Sequence, residues 1–147
     1  MMVLNSLFEL HIPGFIYKIL AACLAGLLIG LEREYKGKNA GLKTNTIVAV
    51  GASIFVMISL HFENQFGVDI TRVLGQVVVG VGFLGAGVIV QRENKIHGLT
   101  TAATIWCSAA AGCLAANAFY AELAIATILI VAVNLVFGWV DTSVHKK

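Results

Sequence analysis

The sequence predicts an all-α membrane protein: a polytopic bundle of about five transmembrane helices, N-terminus outside and C-terminus in the cytoplasm, forming one transmembrane domain over residues 1–147. Three observations carry this. Of the 147 residues, 59% are hydrophobic and only 12% charged, about half the charged share of an ordinary soluble domain. Mean hydropathy is +0.88, more apolar surface than a soluble fold of this size can bury. The apolar residues also fall into runs of bilayer length, separated by basic segments. One proline and fifteen glycines complete the picture. A net charge of +2 is too small to suggest a nucleic-acid partner; the partner read from composition is the lipid bilayer itself.

A span needs about 20 mostly apolar residues in a helix. The first is expected over 14–31, with Lys18 near its start and able to snorkel. The second covers 44–60. The third, 73–91, carries no charge. Between Ile96 and Val140 Glu122 alone is charged, which leaves room for a fourth span over 99–116 and a fifth over 120–140, broken around "AANAFYAE". The N-terminus, "MMVLNSLFELHIPG", lacks the basic start of a cleaved signal peptide. Cys23, Cys107 and Cys113 lie inside apolar runs without paired spacing and read as small core residues.

Orientation follows from the basic residues. Arg33, Lys36, Lys38 and Lys43 follow the first span, Arg92 and Lys95 the third, and Lys146 and Lys147 the fifth. With five spans all eight lie on one side, predicted cytoplasmic. "REYKGKNAGLKT" and "RENKIHGLTT" share Arg-Glu, then Gly-Leu, then Thr. This faint repeat suggests that spans 1–2 and 3–4 are related as parallel halves.

"GVGFLGAG" (80–87) contains a literal G-x-G-x-x-G at Gly80, Gly82 and Gly85. A dinucleotide cradle needs a strand, a turn and a helix starting in water. Here the glycines sit in a charge-free apolar run, so the reading is helix packing and no cofactor is expected. At about 100° per residue, Gly75, Gly82 and Ala86 share one face with Gly85 nearby, and Gly80 and Gly87 share another. Small residues let helices approach closely in lipid. Two such faces predict that the third helix is central, with neighbours on both sides. Gly26 and Gly30 form a small-xxx-small pair on the first helix.

Two polar clusters are candidate sites. Asp69, Arg72 and Gln76 continue the Gly80–Gly87 face outward as a stripe. Asp69 and Arg72, three apart, can pair, and Gln76 in lipid is costly unless partnered. The readings are an interfacial ion pair capping a helix, or the lining of a path or partner site. On the cytoplasmic side, Glu32, Arg33 and Glu34 leave the first span. Lys43 and Thr44 enter the second, Arg92 and Glu93 follow the third, and Thr100 and Thr101 enter the fourth. Thr44, Asn45, Thr100 and Thr101 suit helix starts, and Glu32, Glu34 or Glu93 suit the positive end of a neighbouring helix. The readings are capping with basic anchoring, or a composite site. No nucleophile–base pair or metal-ligand set stands out, so neither enzyme activity nor a metal site is expected.

"GLERE" (30–34), "AGLKT" (40–44), "GVGFLGAG" (80–87) and "GLTTAA" (98–103), in this order, resemble the MgtC/SapB family of bacterial inner-membrane proteins. The resemblance covers most of residues 26–112. It implies a polytopic inner-membrane protein linked to growth in low magnesium, acid tolerance and virulence. By the same resemblance it acts by regulating other membrane proteins, ATP synthase and cation transport ATPases among them, rather than by carrying magnesium. It places the family's polar signature on Glu32, Arg33, Glu34, Lys43, Thr44, Arg72, Gln76, Thr100 and Thr101. The family's small soluble domain has no counterpart after residue 140, so the membrane domain is expected to act alone, with a partner, or as a homo-oligomer. The alternative function is a small oligomeric transporter or channel for Mg²⁺ or another ion.

Overall fold

In the computed structural model the backbone is described for residues 2–63, 66–93 and 95–144, and burial for 12–63, 66–93 and 95–138. The described residues form five α-helices and one short hairpin: α1 (Met2–Tyr35), α2 (Leu42–Leu60), α3 (Thr71–Ala86), β1 (Val90–Arg92), β2 (Lys95–His97), α4 (Leu99–Ala116) and α5 (Tyr120–Val144). Four of them are long and apolar enough to cross a membrane: α2, α4, Ile12–Tyr35 of α1 and Tyr120–Gly138 of α5. The chain is therefore an all-α polytopic membrane protein. Lys146 and Lys147 lie outside the described residues.

α4, not α3, is the central helix, contrary to the expectation from the glycines. α4 packs against all four other helices, and half of its span is buried, against 17% for α5. Its sequence explains why. "LTTAATIWCSAAAGCLAA" offers mostly Ala, Gly, Ser and Thr, whose short side chains let neighbouring backbones come close. Two apolar clusters flank it. Ala22, Ala25, Ile29, Ala111, Ala115 and Leu123 join α1, α4 and α5. Ala40, Ala52, Val81, Ile105 and Ala109 join α2, α3 and α4. Cys23, Cys107 and Cys113 are free and half-buried.

α1 and α2 form the tightest pair. A Cβ added at Gly26 would stand 2.6 Å from the Thr46 Cα, and one at Gly30 2.7 Å from the Leu42 Cα. Both are far inside ordinary contact, so these positions admit only glycine unless the helices part. Gly112 of α4 abuts the Ala49 carbonyl in the same way.

The third span ends early. Helix is expected to residue 91, but α3 stops at Ala86 after 16 residues. At about 1.5 Å per residue this is roughly 24 Å, short of the roughly 30 Å hydrocarbon core. The chain then turns into an antiparallel hairpin pairing Val90 with His97, Gln91 with Ile96 and Arg92 with Lys95. Gly98 closes it with φ +92°, at the start of α4, where a Cβ would strike the Val88 carbonyl. The hairpin pairs part of its own backbone and lies exposed at the end of the bundle.

α3 is also peripheral. Val81 and Gly85 are its buried residues. Gly85 meets Ala102 of α4 at ordinary contact, whereas Gly75, Gly80 and Gly82 have nothing within 4 Å of where a Cβ would be. Apart from Gly85, the two glycine faces expected to hold neighbours are open within the protomer. Gly87, at the end of α3, touches only its own last turn, the Leu84 and Phe83 carbonyls.

The Gly-Leu pair of each sequence repeat stands at a helix start. Gly41-Leu42 begins α2 and Gly98-Leu99 begins α4. The preceding halves diverge: Arg33 lies within α1, Arg92 at the end of a strand.

Candidate functional site

The last turn of α1 brings Glu32, Arg33 and Lys36 to the end of the bundle that carries the 36–41 turn and the hairpin. Glu32 is 7% and Arg33 3% exposed. Lys36 lies one turn beyond Glu32, and its Nζ is 3.1 Å from the Glu32 Oε1. The same ammonium donates to the Asn134 carbonyl at 3.0 Å and the Leu135 carbonyl at 3.4 Å, binding α1 to α5. The pair is ionic by distance, but neither Glu32 oxygen receives a well-aligned hydrogen bond. Arg33 Nη2 donates to Thr101 Oγ1 at 2.8 Å, crossing to the first turn of α4. Its Nε is buried without a partner.

Behind this layer a buried polar ladder climbs α4. Thr104 Oγ1 donates to the Thr100 carbonyl at 2.8 Å and accepts from Asn134 Nδ2 at 3.4 Å. Ser108 Oγ is 3.0 Å from the Thr104 carbonyl and 2.8 Å from Asn45 Oδ1. Asn45, fully buried, donates from Nδ2 to the Ala40 and Gly41 carbonyls at 2.8 and 2.9 Å. One amide thus fixes the turn before α2 and ties α2 to α4. Buried polar groups are tolerated only when partnered, so this ladder sets the mutual register of α2, α4 and α5.

In front of the layer lies a cleft of about 750 Å³. Glu32, Arg33, Lys36, Lys38, His97, Thr100, Thr101 and Asn134 contribute its polar lining, with Leu99 and Phe137 among the apolar walls. α4 starts at the cleft without a side-chain cap and without an acidic residue in its first turn.

Of the residues singled out in the sequence, Glu32, Arg33, Thr100 and Thr101 meet in this cleft. Glu34 does not: its Oε2 accepts from the Leu42 amide at 3.1 Å and caps α2, as an acid at a helix start should. Lys43 and Thr44 are exposed on α2, and Arg92 and Glu93 on the hairpin; none lines the cleft. Asp69 and Arg72 are at the opposite end of the bundle and form no ion pair with each other. The Asp69 carboxylate turns to Thr71, accepting from its amide at 2.9 Å and its hydroxyl at 2.6 Å. These bonds, hydroxyl first, and then the nearby Arg72 charge hold the Asp69 carboxyl below the usual carboxylate range. Gln76 and Gly80 face a largely apolar groove of about 470 Å³ between α2 and α3.

Sequence reasoning treated Asn45 only as a helix-start residue, counted Lys36 only as a basic anchor, and missed Ser108 and Asn134. The signal was present. Thr101, Thr104 and Ser108 are spaced i, i+3, i+7, one face of a helix, and Asn134 is the amide in an otherwise apolar run, as Gln76 is in the third. Among the described residues, no three His, Cys, Asp or Glu side chains are grouped to hold a metal ion.

The profile of the MgtC family matches residues 19–143. This chain belongs to the MgtC family. The match takes in every residue of the cleft and the ladder. The MgtC-family chain is 49% identical over 119 residues to Protein MgtC of Brucella abortus (strain 2308), covering 78% of this chain and 49% of that protein. It is 42% identical over 121 residues to Protein MgtC of Salmonella typhimurium (strain LT2), covering 82% and 51%. The chain thus spans about half the length of the curated MgtC relatives it matches. No solved structure matches it.

Proposed function

We propose that this MgtC-family chain is a non-enzymatic, multi-pass protein of the bacterial inner membrane that serves adaptation to low magnesium or acid stress, and virulence, by modulating other membrane proteins. Its N-terminus lies outside, and the end bearing Arg33, Lys36, Lys38, Lys43, Arg92 and Lys95 faces the cytoplasm, as the positive-inside rule directs. By resemblance, ATP synthase and cation transport ATPases are the first partners to test, and self-association is the second.

The observation that carries the reading is the unused face of α3. Gly75 and Gly82 on one face and Gly80 on the other have open space around them, and the groove beside Gly80, between α2 and α3, is lined by apolar side chains around Gln76. A glycine-bearing helix face with no partner inside the protomer suits a transmembrane helix of another protein, and on the Gly80 face Gln76 offers such a helix a hydrogen bond. The test is cross-linked co-purification from native membranes. Wild type is expected to bring down a larger membrane complex. Gly82→Leu is expected to lose that complex and the low-magnesium growth phenotype together. If both persist in the variant, this face is not the modulating surface.

The polar stripe of Asp69, Arg72 and Gln76, on α3 and the approach to it, carries a second reading, ion movement. Purified protein in liposomes, tested for Mg²⁺, K⁺ and H⁺ flux with Arg72→Ala and Gln76→Leu as controls, decides between them. Flux abolished by those substitutions would replace the modulator by a transporter.

A further inference from the structure

The cleft at the end of α1 is positively charged at its floor: among the described residues that line it, Glu32 is set against Arg33, Lys36 and Lys38. Arg33 is 3% exposed, its Nη2 is spent on a neutral hydroxyl, and its Nε has no partner. The buried Glu32 is already matched by Lys36 at 3.1 Å. Lys38 adds a further cation at the mouth. The same cleft receives the start of α4, an 18-residue helix with no side-chain cap and no acid in its first turn. The positive end of the helix dipole and its unpaired first amides therefore add to the guanidinium. A buried guanidinium is costly without a counter-charge, and the fork of an arginine beside a helix start suits a tetrahedral oxyanion.

A second feature says where that anion comes from. An apolar groove of about 700 Å³ runs between α1 and α5 and shares Glu32 and Lys36 with the cleft. It continues along the same seam past Leu28, Thr127 and Ile128 toward Tyr120 at the far end of α5. A polar, cationic cleft opening into a long apolar furrow fits an amphiphile with a phosphate at one end.

We infer that the cleft binds the phosphate of an anionic membrane phospholipid, held by Arg33, Lys38 and the start of α4, with an acyl chain along the α1–α5 seam. A divalent cation is disfavoured at the same place, because among the described residues of the cleft Glu32 is the lone carboxylate beside three basic side chains and such ions need several converging oxygens.

The test is native mass spectrometry of the purified full chain with three probes. These are dioleoyl-phosphatidylglycerol, dioleoylglycerol (the same chains without phosphate) and inorganic phosphate. The phospholipid is expected to be retained about tenfold better than dioleoylglycerol, as one or two charge-assisted hydrogen bonds give, with inorganic phosphate far weaker. Arg33→Gln is expected to reduce the phospholipid to the level of dioleoylglycerol, whereas Arg92→Gln, which removes an equal charge outside the cleft, keeps the preference. Thermal unfolding of each variant separates loss of the site from loss of the fold. Should Arg33→Gln not fold, Lys38→Gln at the exposed mouth carries the same comparison with a smaller drop. Equal retention of the two lipids overturns the phosphate site, as does equal loss in Arg33→Gln and Arg92→Gln. Inorganic phosphate bound as tightly as the phospholipid overturns the lipid as its source.

Discussion

Gly26 and Gly30 of α1 and Gly75, Gly80 and Gly82 of α3 look alike in the sequence, small residues at helical spacing in apolar runs. Their surroundings are opposite. On α1 a Cβ would press into the backbone of α2; on α3 it would meet empty space. The difference lies in what each face meets. α1 is held to α2 by a short turn whose carbonyls Asn45 grips, so the two backbones run in close register. α3 is tethered at one end by Ser59, whose hydroxyl donates to the Ile70 carbonyl at 2.9 Å, and at the other by the hairpin. A glycine pattern therefore reports that a close approach is permitted, and the connections decide whether the protomer itself makes it.

The largest effect that sharpens this comparison is expected at Gly30→Leu. The side chain would have to displace the Leu42 backbone, so unfolding of the detergent-solubilised protein, followed by circular dichroism, is expected to become easier by about 3 kcal/mol or more. A variant as stable as wild type would break the claim that α1 and α2 are in backbone contact. Next is Asn45→Ala, which removes three buried hydrogen bonds and leaves the Ala40 and Gly41 carbonyls without that donor. The expected loss is about 2 kcal/mol in the same assay. Ser108→Ala, which leaves one buried acceptor, Asn45 Oδ1, without its donor, is expected to cost about 1 kcal/mol. If Ser108→Ala costs as much as Asn45→Ala, the amide is not the node.

Smaller still is Asp69→Asn at the start of α3. The folded carboxyl lies below its ordinary value, so its contribution is complete at neutral pH and is lost as the pH falls through the folded value. The wild-type advantage in melting temperature is therefore expected at pH 7 and should vanish in strong acid. An advantage that grows in acid would contradict the Thr71 hydrogen bonds as its cause. The smallest effect on stability is expected for Gly82→Leu, within about 0.5 kcal/mol of wild type. If this substitution destabilises the isolated protomer as Gly30→Leu does, the two glycine faces are not different after all.

Hydrophobicity by itself determined that the chain belongs in a bilayer, that it is helical, and where α2, α4 and α5 begin, because apolar run length and basic punctuation are local properties that lipid enforces residue by residue. The polar residues at the end of α1 and the start of α4 were legible for the same reason. Tertiary structure decided the rest. Arg33 and Thr101 are 68 positions apart, and Ser108 and Asn45 are 63 apart; no spacing rule joins residues on different helices. Glu34 and Arg33 are neighbours in the sequence, yet one caps α2 while the other lines the cleft, because successive side chains on a helix point about 100° apart. The early end of α3 was hidden because an apolar run can finish in a hairpin as well as in another helical turn. Which helix is central depended on the sum of contacts around α4, a quantity that exists only once the five helices are packed.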